Sequence, residues 1–151
     1  MRNFKYFLLI LLIYFYTPAK PNQNKLVIHG AYAFETFKGQ KSCAVYLSFF
    51  NNTKTDFEVN SLSSKIADKA EIHGTFIDKE VVKMKKIENL LIKSKDQVFL
   101  QPGGMHIMLM GLKKELIDGT TFPIDFLINN KEKMKINVMV VSSKLRENFI
   151  E

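Results

Sequence analysis

A chain of 151 residues with 46% apolar content is long enough for one domain with one core and too apolar for a disordered segment. Its formal charge of +7 is scattered over lysines, with no arginine cluster interleaved with aromatics, so nucleic-acid binding is not expected. The lysines read first as a solvated basic face and secondly as an attraction to an acidic partner or anionic lipid.

Arg2 and Lys5 precede an unbroken apolar run, Phe7 to Tyr16, which is the pattern of a secretory signal. Thr17-Pro18-Ala19 sets cleavage after Ala19, giving residues 1–19 as signal peptide and a periplasmic mature protein. The run is shorter than the roughly 20 residues that span a bilayer, so an uncleaved N-terminal anchor is the weaker reading. No cysteine near its end offers a lipid attachment point.

Beyond the signal, short runs of β-type residues bounded by turn formers predict strands at Leu26–Phe34, Cys43–Phe50, Phe57–Ser61, Lys69–Ile77, Val81–Ile87, Gln97–Leu100, Met105–Met110, Phe122–Ile128 and Met134–Val141. The spacing is that of a single antiparallel all-β domain, sandwich or barrel, over residues 24–141. Gly111–Ile117 reads as a short helical connector ending at Gly119, and the polar tail, residues 142–151, as frayed. Cys43, the only cysteine, falls on an apolar alternate position and reads as a buried small hydrophobe; alone, it excludes an internal disulfide and dithiol exchange. Met134 and Met139 read as core, and His29 as structural.

Three histidines and seven methionines include one ordered set: His73, Met84, His106 and Met108. His106 and Met108, two apart on one strand, share a face and can converge on one point. Met84 and His73 lie on separate runs, and spacing leaves open whether the fold gathers all four. Each alone reads more readily as packing, but the joint pattern arises by chance at roughly 10⁻⁴ over all placements, which favours a site. Imidazole with thioether is a soft, neutral ligand set suited to one Cu(I) ion, whereas Mg²⁺ and Ca²⁺ want oxygen and structural Zn²⁺ takes thiolate or imidazole. Met105 and Met110 flank the pair and read as packing. Pro102-Gly103-Gly104 predicts a sharp reversal just before His106, presenting the ligand strand at a barrel rim.

The same four residues, with Ser63–His73 leading to the first and Pro102–Leu112 around the last two, resemble the periplasmic copper A chaperone (PCuAC) family, and the likeness extends over about residues 26–140. The resemblance implies a cupredoxin-like Greek-key barrel with a surface Cu(I) site made by these four side chains. It also implies a non-enzymatic metallochaperone delivering Cu(I) to the copper A-bearing subunit of cytochrome c oxidase or another periplasmic copper acceptor, with a thiol-containing assembly factor as a further partner. A monomer is expected. Three departures stand out: Tyr32 replaces the family's usual Trp, Asp78-Lys79-Glu80 replaces a glycine-containing turn, and the His/Met-rich tail of some members is missing. Copper storage without an acceptor, a copper redox enzyme and a metal-free assembly module are the competing readings.

Overall fold

The computed structural model describes residues 25–79 and 81–149, so the signal segment and its cleavage point lie outside the described residues. Ten strands follow one another: β1 (Leu26–Phe34), β2 (Ser42–Asn51), β3 (Phe57–Ser63), β4 (Lys69–Asp78), β5 (Val81–Ile87), β6 (Leu90–Ile92), β7 (Gln97–Leu100), β8 (His106–Met110), β9 (Thr121–Ile128) and β10 (Glu132–Val141). They form one sheet in the order β5-β4-β8-β2-β1-β10-β9-β3-β6, with β7 also on β2, rolled into a nearly closed Greek-key barrel of the cupredoxin-like kind. The expected all-β domain is therefore present. Its pairings are antiparallel with one exception: the first and last long strands, β1 and β10, run parallel, with Tyr32 opposite Met139. A parallel pair needs a long crossover, which here is the whole intervening domain.

Period-two alternation drives the roll. In β2, Cys43, Val45, Leu47 and Phe49 point inward and are buried, while Ser42, Ala44, Tyr46 and Ser48 point outward. In β9, Phe122, Ile124, Phe126 and Ile128 do the same, and Phe49 meets Phe126 edge to face at 6.0 Å across the core. Cys43 lies in this core, as expected, and burial pushes its thiol up to about 12. Met134 packs against the core, but Met139, expected there, is more than half exposed because it alternates with buried Val138 and Val140.

Residues 111–117, expected to be helical, form an irregular connector. Leu112 and Leu116 are buried at a spacing of four that a helix would also give, yet their backbone groups bond elsewhere in the fold. The N–H groups of Leu112 and Lys113 donate to the carbonyls of Lys41 and Ile66, and Thr36 exchanges bonds with Leu116. Tertiary partners have taken what an isolated helix would have satisfied internally.

The tail, expected to fray, carries a 3-10 helix, Ser143–Phe149. The Glu35 carboxylate accepts hydrogen bonds from the Ser143 N–H and hydroxyl, both at 2.9 Å, and from the Ser142 hydroxyl at 3.2 Å, while Arg146 stacks over Phe34 at 5.0 Å. The Ser143 bonds, backbone first, hold the Glu35 carboxyl below its ordinary range. A depressed carboxyl contributes stability that is complete above its unfolded value, near ~4.3, and is lost as pH falls through the folded value. Protection of the Ser143 and Lys144 amides, taken relative to their intrinsic exchange rates at each pH, is therefore expected to fall as pH drops below the ordinary carboxylate range, ahead of protection in β2; simultaneous loss would show that Glu35 does not hold the tail.

Candidate metal site

β2 is long enough to pair with two strands end to end. Its C-terminal half, Leu47 to Phe50, pairs with β7, and its N-terminal half, Ser42 to Val45, pairs with β8. β7 and β8 thus run in the same direction along β2, and Gln101–Met105 loops out between them. The chain does not reverse before His106, as Pro102-Gly103-Gly104 had suggested. The Gly104 N–H closes a turn on the Gln101 carbonyl at 3.0 Å with Gly103 at φ +78°, a one-turn excursion after which pairing with β2 resumes. His106 stands at that break, midway along β2 rather than at a rim.

β4 joins β8 in the register His73 opposite His106, Ile72 opposite Ile107 and Glu71 opposite Met108. Direct cross-strand partners share a face, so Ile72 and Ile107 enter the core while His73, His106, Glu71 and Met108 emerge on the outer face. β5 joins β4 with Met84 opposite Thr75 and Lys86 opposite His73, which brings Met84 to the same face. On the far side, Ala44 of β2 lies opposite Met108, a small neighbour that leaves the thioether arm room to move.

All four sequence candidates therefore occupy one face of the β5-β4-β8-β2 ladder. The imidazoles of His73 and His106 lie 5.9 Å apart between ring centres, at 66°. An ion bonded to a nitrogen of each at about 2.0–2.1 Å would hold the rings roughly 6 Å apart, so the spacing admits one ion between them. Met84, His106 and Met108 line a common cleft of about 810 Å³, shared with Phe34, Tyr46 and Arg146. His106 is buried and Met84 is 62% exposed, so the set runs from an anchored imidazole to a free arm on the edge strand. Among the described residues no three His, Cys, Asp or Glu side chains gather into a possible metal set.

Three polar groups that the ligand pattern did not include organise the face. The Gly104 carbonyl accepts from Thr75 Oγ1 at 3.1 Å and from His106 Nδ1 at 3.2 Å. A carbonyl only accepts, so His106 carries its hydrogen on Nδ1 and its Nε2 is the atom left for a ligand bond. Glu71 Oε2 lies 3.0 Å from His73 Nε2, and this contact, with Lys86 nearby, holds the Glu71 carboxyl below its ordinary range. Strand alternation around His73 was the signal that could have found Glu71 and Thr75, at two residues to either side.

Met105 packs on the core, whereas Met110 sits on the outer face opposite Ser42 and Lys69. His29 is exposed on β1, two strands from β8. Tyr32 belongs not to the core but to an outer-face cluster with Phe34 and Tyr46, at 5.7 and 5.2 Å between ring centres. Lys79 takes φ +48° in the β4–β5 turn, the left-handed conformation for which a glycine is usual.

This is a cupredoxin-like barrel that gathers two histidines and two methionines on the outer face of one ladder. The LpqE-like family profile matches residues 26–140, and the chain belongs to that family, the PCuAC family its sequence resembles. Among solved structures it is similar to the "Copper-bound PCuAC domain from PmoF2", with a TM-score of 0.66 at 15% identity over 78% of this chain and 93% of that one. It is also similar to "CuI-DR1885 from Deinococcus Radiodurans", with a TM-score of 0.64 at 23% identity over 84% and 83%. "Uncharacterized protein RP573" of Rickettsia prowazekii (strain Madrid E) is 32% identical over 100 residues, 66% of this chain and 55% of that protein, so the match spans about half that relative's length.

Proposed function

We propose that the mature chain is a periplasmic metallochaperone that binds one Cu(I) ion through His73, Met84, His106 and Met108 and passes it on by ligand exchange. The carrying observation is the shared face: two imidazoles at 5.9 Å, with Met84 and Met108 on the cleft that His106 lines. Family membership and the copper held by the similar PmoF2 and DR1885 structures support the reading. A set of neutral imidazoles and thioethers leaves the site with only the +1 of the ion, which favours Cu(I) over Cu(II) and disfavours a redox enzyme. Exposed Met84 suits release, because an incoming ligand can replace it while buried His106 still holds the metal.

The acceptor we favour is the copper A-bearing subunit of cytochrome c oxidase, with a thiol-containing assembly factor keeping that centre reduced. The basic charge of the chain suits an acidic docking surface. Mixing the Cu(I)-loaded protein with an apo copper A fragment is expected to move copper faster than the metal dissociates into a chelator. Transfer limited by dissociation would instead indicate copper storage or tolerance without a dedicated acceptor, and absence of Cu(I) binding would overturn both.

A further inference from the structure

Glu71 is the acidic side chain in hydrogen-bond contact with the candidate ligands, and the His/Met pattern gives it no role. It lies on β4 two residues before His73, on the same outer face, directly across from Met108 on β8. Its Oε2 is 3.0 Å from His73 Nε2. An ionised carboxylate only accepts hydrogen bonds, and a glutamate is ionised at neutral pH, so the hydrogen of a neutral His73 must sit on Nε2. That leaves the lone pair on Nδ1. His106 is the mirror case, with Nδ1–H directed to the Gly104 carbonyl and Nε2 left over.

We infer that Glu71 is a positioning residue that fixes the Nε2–H form of His73, so that the site offers a metal unlike nitrogens, Nδ1 from His73 and Nε2 from His106. The inference rests on the Cu(I)-binding reading for its consequence, though not for the hydrogen positions themselves. A carboxylate behind a ligand imidazole orients the ring and raises its basicity. It also supplies negative charge close to His73, where Lys86, the residue opposite, and Lys69, two residues before Glu71 on the same strand, are positive. Lys86 is itself tied to Glu88 at 2.8 Å, so its ammonium is drawn away along the edge strand.

Two measurements test this. Long-range ¹H–¹⁵N spectra of the metal-free protein at about pH 8, where unperturbed imidazoles are neutral, are expected to show His73 protonated on Nε2 and His106 on Nδ1. Finding His73 protonated on Nδ1 overturns the inference. In a chelator competition, Glu71→Ala is expected to weaken Cu(I) binding about 10- to 100-fold, and Glu71→Gln by less, because the amide oxygen can still accept from Nε2–H. Wild-type affinity in Glu71→Ala, with wild-type protein binding normally, overturns the positioning role and spares the copper reading. Failure of the wild-type protein itself to bind Cu(I) overturns the copper reading and this role with it, and leaves the hydrogen positions to the spectra.

Discussion

The double variant His106→Ala, Met108→Ala is expected to lose more than about 100-fold in Cu(I) affinity, since removing even an outer partner of a ligand commonly costs 10–100-fold and this change removes two donors. The two residues contribute differently. His106 is buried beneath the Gln101–Gly104 turn with Nδ1–H on the Gly104 carbonyl, so its ring is already oriented before any metal arrives. Met108, half-buried between Glu71 and Ala44, is a flexible arm held to the correct face by register alone. Met84→Ala is expected to cost less, because an exposed side chain on an edge strand is poorly preorganised, and to leave stability unchanged. Removing His106 frees space under the turn, so a thermal melt must accompany the chelator competition. Full Cu(I) affinity in a folded double variant would overturn the four-ligand site.

Most of the fold was legible because alternation is strict where one face of a strand is buried and the other wet. The β1, β5 and β7 boundaries coincide with those read from the sequence, and most other strands extend by only one or two residues. β6 escaped notice because Leu90–Ile92 is three residues long, too short to display a period, and exists through its pairing with β3. The connector at 111–117 was misread because a buried i, i+4 leucine pair is equally compatible with an extended path when tertiary partners supply the hydrogen bonds. Pro102-Gly103-Gly104 marked a turn correctly, but a turn signal does not say whether the chain then reverses or resumes its course. The length of β2, which offers pairing partners on both sides of the excursion, decides that here.

The site divides in the same way. His106 and Met108 could be placed on one face from their spacing alone, whereas the meeting of His73 with His106 depends on the β4–β8 register, a non-local property that no local pattern encodes. Glu71 and Thr75 were visible as neighbours of His73 by alternation, yet what they bond to, the His73 ring and the Gly104 carbonyl, emerges only when β4 lies against β8.

Asn51 is the polar residue on which the other end of β2 depends, and Asn51→Ala is expected to cost about 3 kcal/mol of stability, since each buried group left unpaired costs roughly 1–3 kcal/mol. Asn51-Asn52 reads in sequence as a turn, but Asn51 is 1% exposed at the end of β2. The two hydrogens of its Nδ2 are shared among the carbonyls of Thr55, Ile92 and Lys93 at 2.8, 3.1 and 2.8 Å, and its Oδ1 accepts from the Thr53 N–H and hydroxyl at 3.0 and 2.7 Å. One side chain thus ties β2 to the end of β6 and to the turn that leads into β7. Alanine leaves those carbonyls and the Thr53 donors to whatever water can reach them. Asn51→Asp is expected to be worse than alanine although its shape is unchanged, because it sets a carboxylate against three carbonyl oxygens with no hydrogen to share. Urea unfolding followed by fluorescence or circular dichroism measures both, and a midpoint unchanged in Asn51→Ala would show that the network adds nothing net. Cu(I) affinity of the folded variant should stay at the wild-type level, because Asn51 anchors the half of β2 that pairs with β7, and the proposed ligands stand on strands ordered by the other half.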